Sequence, residues 1–200
     1  MVNYKFKPRV DRGDFGWYSR GYLPHFDADD RSQFLTFRLF DSMPQELLDK
    51  WRSELPTDAQ FRKKVERFLD AGYGCCWLGR DDVATMVSNS LRFHDGDKYD
   101  LESWVVMPNH SHVLLTPRQG HHLDEIEHSI KSYTANEANK ILGRHGQFWA
   151  IESFDRYIRD RRHYNAVIRY IENNPVKARL CKEPQNWAYS SANERWRVDN

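Results

Sequence analysis

The sequence predicts an α+β fold: a ferredoxin-like βαββαβ core with an antiparallel sheet, its helices on one face, and a further C-terminal helix. Three observations predict it. Gln33–Phe40 (QFLTFRLF) is β-rich and partly alternating, with Phe34, Thr36 and Arg38 opposite Leu35, Phe37 and Leu39. Tyr99–Met107 and His110–Thr116 are two further β-rich runs, separated only by Pro108-Asn109, which reads as an antiparallel hairpin. Amphipathic stretches lie between and after these runs, in the order strand, helices, strand, strand, helix, strand, helix.

The first thirty residues set Tyr4, Phe6, Phe15, Trp17, Tyr18, Tyr22 and Phe26 among Lys5, Lys7, Arg9, Arg12 and Arg20 without a helical or strand period. They read as an extended arm laid over a core of residues 31–200, the whole forming one domain. After the first strand, Ser42-x-Pro44 opens a helix over Gln45–Trp51, and Asp58–Leu69 forms a second with Phe61, Val65, Phe68 and Leu69 on one face. Ala71–Gly79 is a glycine-punctuated connection. Asp81 is the expected N-cap of a helix over 82–93, and His94-Asp95-Gly96-Asp97 a turn. Beyond the hairpin come a long helix at 123–142 ended by Gly143, a strand at Phe148–Tyr157, and a last helix at Asp160–Asn173 stopped by Pro175.

Composition narrows the functional classes. The chain has 200 residues, 40% of them hydrophobic and 30% charged, and no apolar run approaches the roughly 18–20 residues of a membrane helix. The opening MVNYKFKPRV has no apolar secretory segment, and three cysteines, two of them adjacent, offer neither a disulfide framework nor a CxxC pair. A reduced, cytoplasmic protein is expected. The net charge of +1 hides a gradient, because residues 131–200 carry 13 Lys and Arg against 8 Asp and Glu. A basic C-terminal part of this kind suits a phosphate-bearing partner, although solvated helix faces look the same. The 28 aromatic residues belong first to a core and only second to base-stacking surfaces.

Two places could carry chemistry. On a strand, His110 and His112 point to the same face, as a shared cation requires. About 0.4 His-x-His pairs are expected by chance at this histidine content, so the pair fits two sheet histidines equally well. On the last helix, at about 100° per residue, Tyr164, Val167, Ile168 and Ile171 form an apolar stripe. Tyr170, His163 and Asn174 share a polar edge beside it, with Tyr170 and Asn174 one turn apart. Arg156, Arg159, Arg161, Arg162 and Arg169 crowd the same region, a clustering that suits phosphate.

Taken together, WVVMPNHSHVLL (Trp104–Leu115), GQFWAIESFDRYIRD (Gly146–Asp160), RYIENNPVKARL (Arg169–Leu180) and WAYSSA (Trp187–Ala192) resemble the IS200-like tyrosine transposases, most closely the REP-associated ones. GYLPHF (Gly21–Phe26) and FLTFRLFDSMP (Phe34–Pro44) extend the resemblance to residues 17–195. These are HUH-type endonucleases of single-stranded DNA. The resemblance implies that His110 and His112 are metal-binding histidines, that Tyr170 is the nucleophile, and that Asn174 is the third polar ligand, with Asn173 an open alternative. With DNA as the partner, the basic cluster of Arg156, Arg159, Arg161, Arg162, Arg169 and Lys177 is expected to contact its phosphates. The partner implied is single-stranded DNA with hairpin, palindromic, REP-like elements, handled by a monomer or homodimer associated with the nucleoid. Two departures stand out: Ser111 replaces a bulky apolar residue, which would loosen packing behind the sheet, and a glycine preferred near Ala178-Arg179 is absent.

The residues fit that chemistry. A tyrosine hydroxyl, with a pKa near 10, becomes an effective nucleophile toward a phosphodiester when a divalent ion, Mg²⁺ or Mn²⁺, polarises the phosphate. Imidazoles favour Mn²⁺ in affinity, while Mg²⁺ is the ion expected in the cell. Two other readings stay open: a nucleic-acid-binding relative that does not cleave, and a metal-dependent phosphoesterase, which would want a carboxylate-rich site that MPNHSHVLLT does not offer.

Overall fold

The computed structural model describes residues 16–19, 24–27 and 31–196, the first two segments as backbone path only. Those two segments are strands β1 (Gly16–Ser19) and β2 (Pro24–Asp27), paired antiparallel, where the sequence predicts an arm without regular structure. Four-residue strands are too short to display a period, which is why the pattern hides them. The rest of the expected arm, residues 1–15, 20–23 and 28–30, lies outside the described residues.

The main sheet contains β3 (Gln33–Arg38), β4 (Tyr99–Val106), β5 (His110–Pro117) and β6 (Phe154–Tyr157), in the order β4-β5-β3-β6 and antiparallel throughout. β3 and β5 occupy the middle, as the ferredoxin-like unit requires. Between β3 and β4 run α1 (Gln45–Glu54), α2 (Asp58–Leu69) and α3 (Asp81–Phe93). α4 (Leu123–Ile141) connects β5 to β6, and α5 (Arg161–Lys177) follows.

Strand alternation divides the core in two. One face of the sheet presents Leu35, Phe37, Trp104, Val106, Val113 and Leu115 to Val83, Val87 and Leu91 of α3 and to Leu123, Ile126 and Ile130 of α4. The helices of the βαββαβ unit therefore share one face. Burying each of these large side chains contributes about 1.5–3 kcal/mol. The opposite face presents Phe34, Val105, Met107 and Leu114 to Val167 and Ile171, the buried members of the apolar stripe on α5. A satellite cluster of Leu48, Trp51, Phe61, Val65 and Leu69 joins α1 to α2. Phe61 of α2 meets Phe154 of β6 with ring centroids 6.2 Å apart.

Several boundaries differ from expectation, each for a local reason. Asp81 is the first residue of α3 rather than its cap; Arg80 holds the cap position, and its guanidinium donates to the Asp82 carboxylate at 2.7 Å. β6 is four residues long instead of ten. The Lys131 ammonium on α4 donates to the carbonyls of Ala150 (2.7 Å) and Ile151 (2.8 Å), which interrupts the ladder there, while the Ala150 N–H still donates to the Arg38 carbonyl at 2.8 Å. Phe148 and Trp149 are buried in the core, the latter keeping a single bridge to Leu39.

Pro175 does not end α5; the helix runs through it to Lys177. Proline withholds its own N–H but leaves its neighbours free to donate. Accordingly, the Ala178 N–H reaches the Asn174 carbonyl at 2.9 Å and the Leu180 N–H reaches the Pro175 carbonyl at 2.8 Å. The turn after the helix puts Arg179 at φ 60°, a left-handed conformation that favours glycine. The glycine missed in the sequence near Ala178-Arg179 is thus a backbone requirement. Arg179→Gly is expected to stabilise the fold by about 0.5–1 kcal/mol, read as a raised midpoint in urea.

Ser111 also finds its explanation. It is fully buried on the α3–α4 side, and its hydroxyl donates to the Val105 carbonyl at 2.9 Å, so the smaller side chain is fully hydrogen-bonded.

Candidate active site

The period of two on β5 brings His110 and His112 to the face covered by α5, with ring centroids 4.7 Å apart. Both are buried, and each is held at Nδ1. Asn109 donates its amide Nδ2 to the carbonyls of Leu69 (3.1 Å) and Tyr73 (3.0 Å), which fixes its Oδ1 as the acceptor facing His110 Nδ1 at 2.7 Å. The His110 proton therefore sits on Nδ1, and Nε2 keeps its lone pair. That Nε2 is buried and has no hydrogen-bond partner. His112 Nδ1 pairs with the hydroxyl of Thr36, its register partner on β3, at 2.9 Å.

Helix α5 supplies the other half. Asp160 caps it, its carboxylate accepting from the His163 N–H at 2.7 Å. Three turns later the Tyr170 hydroxyl lies 3.4 Å from His112 Nε2. Phe34 props both rings, 5.3 Å from His112 and 5.9 Å edge-on from Tyr170. Asn174, one turn on, is fully buried beside the Tyr170 hydroxyl, and neither of its amide atoms makes a well-formed hydrogen bond. Asn173 is exposed, and its amide donates to the Arg169 carbonyl at 2.8 Å. Of the two asparagines, Asn174 is the one beside Tyr170.

Electrostatics follow from burial. Desolvation, then the ammonium of Lys177, pulls His110 down to about 3, and desolvation with His110 and Lys177 lowers His112 as well. Both imidazoles are neutral at physiological pH, as a metal ligand must be. Burial, followed by the carboxylates of Glu66 on α2 and of Asp70, its C-cap, raises the Tyr170 hydroxyl above its ordinary value, so it is a phenol and not a phenolate at rest. Lys177 bridges to Asp70 at 2.6 Å and stands 5.5 Å from the Tyr170 ring.

The sign of the histidine shifts gives a testable consequence. Unfolded histidines protonate near 6.5, and the folded ones resist down to about 3, so the unfolded state binds more protons across that window. In EDTA, the midpoint of urea unfolding is expected to fall as pH is lowered from about 6.5 toward 4, and His110→Gln is expected to flatten that dependence.

Orphaned buried donors test the fit of a metal here. His110 Nε2 and Asn174 Oδ1 are both buried without partners, and His112 Nε2 faces the same site. Two imidazoles whose far nitrogens are already fixed, plus an amide oxygen, suit a divalent ion with positions left for phosphate oxygens. Among the described residues no group of three His, Cys, Asp or Glu side chains offers a competing site.

The basic residues expected to meet DNA divide by place. Arg156, opposite Phe34 in the β3–β6 register, lies on the histidine face. Arg159 is close enough to Arg156 to repel it, whereas Arg161, Arg162 and Arg169 are exposed along α5. His163 stays at the first turn of α5, where its Nδ1 accepts from the Arg159 N–H at 3.2 Å. Sequence reasoning missed Thr36, Asn109, Glu66 and Asp70. The first two were within reach, since the strand period and the PNHSH run place them beside the histidines.

Among the described residues no helix is long and apolar enough to cross a membrane. No curated protein matches the chain. A solved structure of a REP-associated tyrosine transposase bound to a REP hairpin is similar, with 18% identity over 87% of this chain and 81% of that one and a TM-score of 0.51, a likeness of fold. A candidate transposase from Deinococcus radiodurans R1 shares 15% identity over 78% of this chain and 96% of its own, at a TM-score of 0.37. The profile described as "Transposase IS200 like" matches residues 62–174, more than half of the chain, from α2 through the histidine pair to Asn174. The chain belongs to the IS200-like transposase family.

Proposed function

We propose that this transposase cuts and rejoins hairpin-bearing single-stranded DNA in a metal-dependent reaction that passes through a 5′-phosphotyrosine at Tyr170. One observation carries the reading: the Tyr170 hydroxyl lies 3.4 Å from His112 Nε2, beside the unpartnered His110 Nε2 and Asn174 amide. The similar structure of the REP-associated tyrosine transposase is itself bound to a REP hairpin, which supports a hairpin as the substrate.

His110, His112 and Asn174 would hold a divalent ion, Mg²⁺ or Mn²⁺. Such an ion supplies charge to the non-bridging phosphate oxygens and stabilises the negative charge that develops on them. The Tyr170 oxygen attacks phosphorus, the P–O3′ bond breaks, and the departing 3′-oxygen is protonated to a 3′-OH. The Tyr170 proton goes to solvent or to a neighbouring carboxylate. Because the new P–O(Tyr) bond replaces the one broken, a later 3′-OH reverses the step and joins strands. α5 carries the nucleophile, and the Phe34 ring packed edge-on against it holds its orientation. Arg159, Arg161, Arg162 and Arg169 are exposed before and along α5 and would contact the strand's phosphates, which position it without reading its sequence.

The test is incubation of the protein with labelled single-stranded hairpin DNA and Mn²⁺. A covalent protein–DNA band on a denaturing gel is expected. Tight binding with no covalent band would favour the non-cleaving relative.

A further inference from the structure

Helix α2 turns one edge toward the nucleophile. Arg62, Glu66 and Asp70, spaced i, i+4, i+8, lie along that edge and are half-buried, while Lys63, Lys64 and Arg67 are exposed. Phe61, Val65 and Leu69, beside the edge, anchor α2 in its own apolar cluster. Opposite stands the last part of α5, where Tyr170 and Lys177 are about two turns apart. Asp70, the C-cap of α2, pairs with the Lys177 ammonium at 2.6 Å and so ties the two helices together. The Glu66 carboxylate, one turn earlier, accepts from the Tyr170 hydroxyl.

Among the described residues, three polar groups meet the Tyr170 oxygen: His112 Nε2 at 3.4 Å, the Asn174 amide and the Glu66 carboxylate. An amide is no base. In the proposed reaction the Nε2 lone pair of His112 belongs to the metal ion, which removes it as a proton acceptor. Asp70 is committed to Lys177. Glu66 keeps the lone pairs to take a proton, and burial raises its carboxyl above the usual carboxylate range, which strengthens it as a base. The charged groups around it are Arg62 and Asp70 at the same edge, Lys177 on α5, and Asp155 and Arg156 of β6, which share with it a cleft open to solvent. A proton received at Glu66 therefore has a way out to water.

We propose that Glu66 is the general base of the cutting step, taking the Tyr170 proton as the Tyr170 oxygen bonds to phosphorus. The inference rests on the proposed strand-transfer reading and names the group that activates its nucleophile. The O–H bond of Tyr170 breaks and the proton passes to a Glu66 oxygen while the P–O(Tyr) bond forms. The electron pair of the P–O3′ bond leaves with the 3′-oxygen, which takes a proton from water. In the joining direction a 3′-OH expels Tyr170, and protonated Glu66 returns the proton to the departing phenolate. At rest, burial and the two carboxylates keep the proton on Tyr170, so transfer accompanies bond formation.

The test follows formation of the covalent band in a single turnover, with protein in excess over a labelled single-stranded hairpin in Mn²⁺, across a range of pH. Glu66→Gln, which keeps the shape and removes the basic oxygen, is expected to slow the band about a hundredfold near neutral pH. Its rate should keep climbing with pH where wild type has levelled off, because hydroxide replaces the lost base. Glu66→Asp should recover part of the rate, and added formate should speed Glu66→Ala several-fold without affecting wild type. Replacing the cut 3′-oxygen by sulfur, a leaving group that needs no proton, should leave the Glu66→Gln defect in place. Hairpin binding in EDTA and the melting temperature should stay close to wild type. A wild-type rate and pH profile in Glu66→Gln, or a defect erased by the sulfur leaving group, would overturn the assignment. So would the same change of profile in Asp70→Asn instead, or a loss of hairpin binding as large as the loss of rate. The two readings separate: a wild-type band that ignores Glu66 removes the base alone, whereas a wild type that forms no band removes strand transfer itself.

Discussion

Tyr170→Phe is expected to abolish the covalent protein–DNA band, a loss on the order of a thousandfold or more, while DNA affinity and folding stay close to wild type. The substitution removes one oxygen at the rim of the core and keeps the ring that Phe34 supports. That oxygen lies 3.4 Å from His112 Nε2 and also meets the Glu66 carboxylate and the Asn174 amide, so the stability lost with it is about 1 kcal/mol. If the oxygen is the nucleophile, no neighbouring group replaces it, since catalysis by an attacking atom is lost outright with the atom. Tyr157 and Tyr164 are the alternatives on nearby elements. Tyr164 packs in the apolar cluster under α5, and its hydroxyl engages Glu102 rather than the histidines. A band persisting in Tyr170→Phe would move the role to one of them.

His110→Ala and His112→Ala are each expected to cut DNA at least about a hundredfold more slowly than wild type and to need far more Mn²⁺ for half-maximal rate. Both side chains are buried and neutral, and each is already oriented from behind, by Asn109 and Thr36. Removing either leaves a gap that the remaining imidazole cannot span. Thermal melting of each variant checks that the sheet survives, and DNA binding in EDTA is expected to persist. Wild-type cutting by either variant at saturating Mg²⁺ would make the pair structural.

Much of this was legible in the residues. Strands β3, β4 and β5 are long enough to show alternation, and the same alternation put His110 and His112 on one face and Ser111 on the other. The stripe Tyr164–Val167–Ile168–Ile171 fixed which side of α5 packs, and hence that Tyr170 and Asn174 flank it. What the pattern hid depends on contacts far apart in sequence. β6 is short because Lys131, some twenty residues earlier, takes the carbonyls of Ala150 and Ile151. Pro175 reads locally as a stop, but packing of Val167 and Ile171 against the sheet, with the proline itself buried, carries α5 onward. Glu66 and Asp70 reach Tyr170 only because α2 folds back over the sheet, and no spacing rule connects residue 66 to residue 170.

The central claim is that Tyr170 becomes joined to the 5′-phosphate of the cut strand. The measurement that tests it most directly uses one hairpin-bearing single strand labelled at its 3′ end in one sample and its 5′ end in another, each incubated with the protein and Mn²⁺. The covalent band is then digested and the labelled peptide sequenced. The account predicts label on the protein only from the 3′-labelled strand, carried by the peptide that contains Tyr170, with a free 3′-OH on the other fragment. Label transferred from the 5′-labelled strand, label on a peptide lacking Tyr170, or two free fragments with no covalent protein would contradict it.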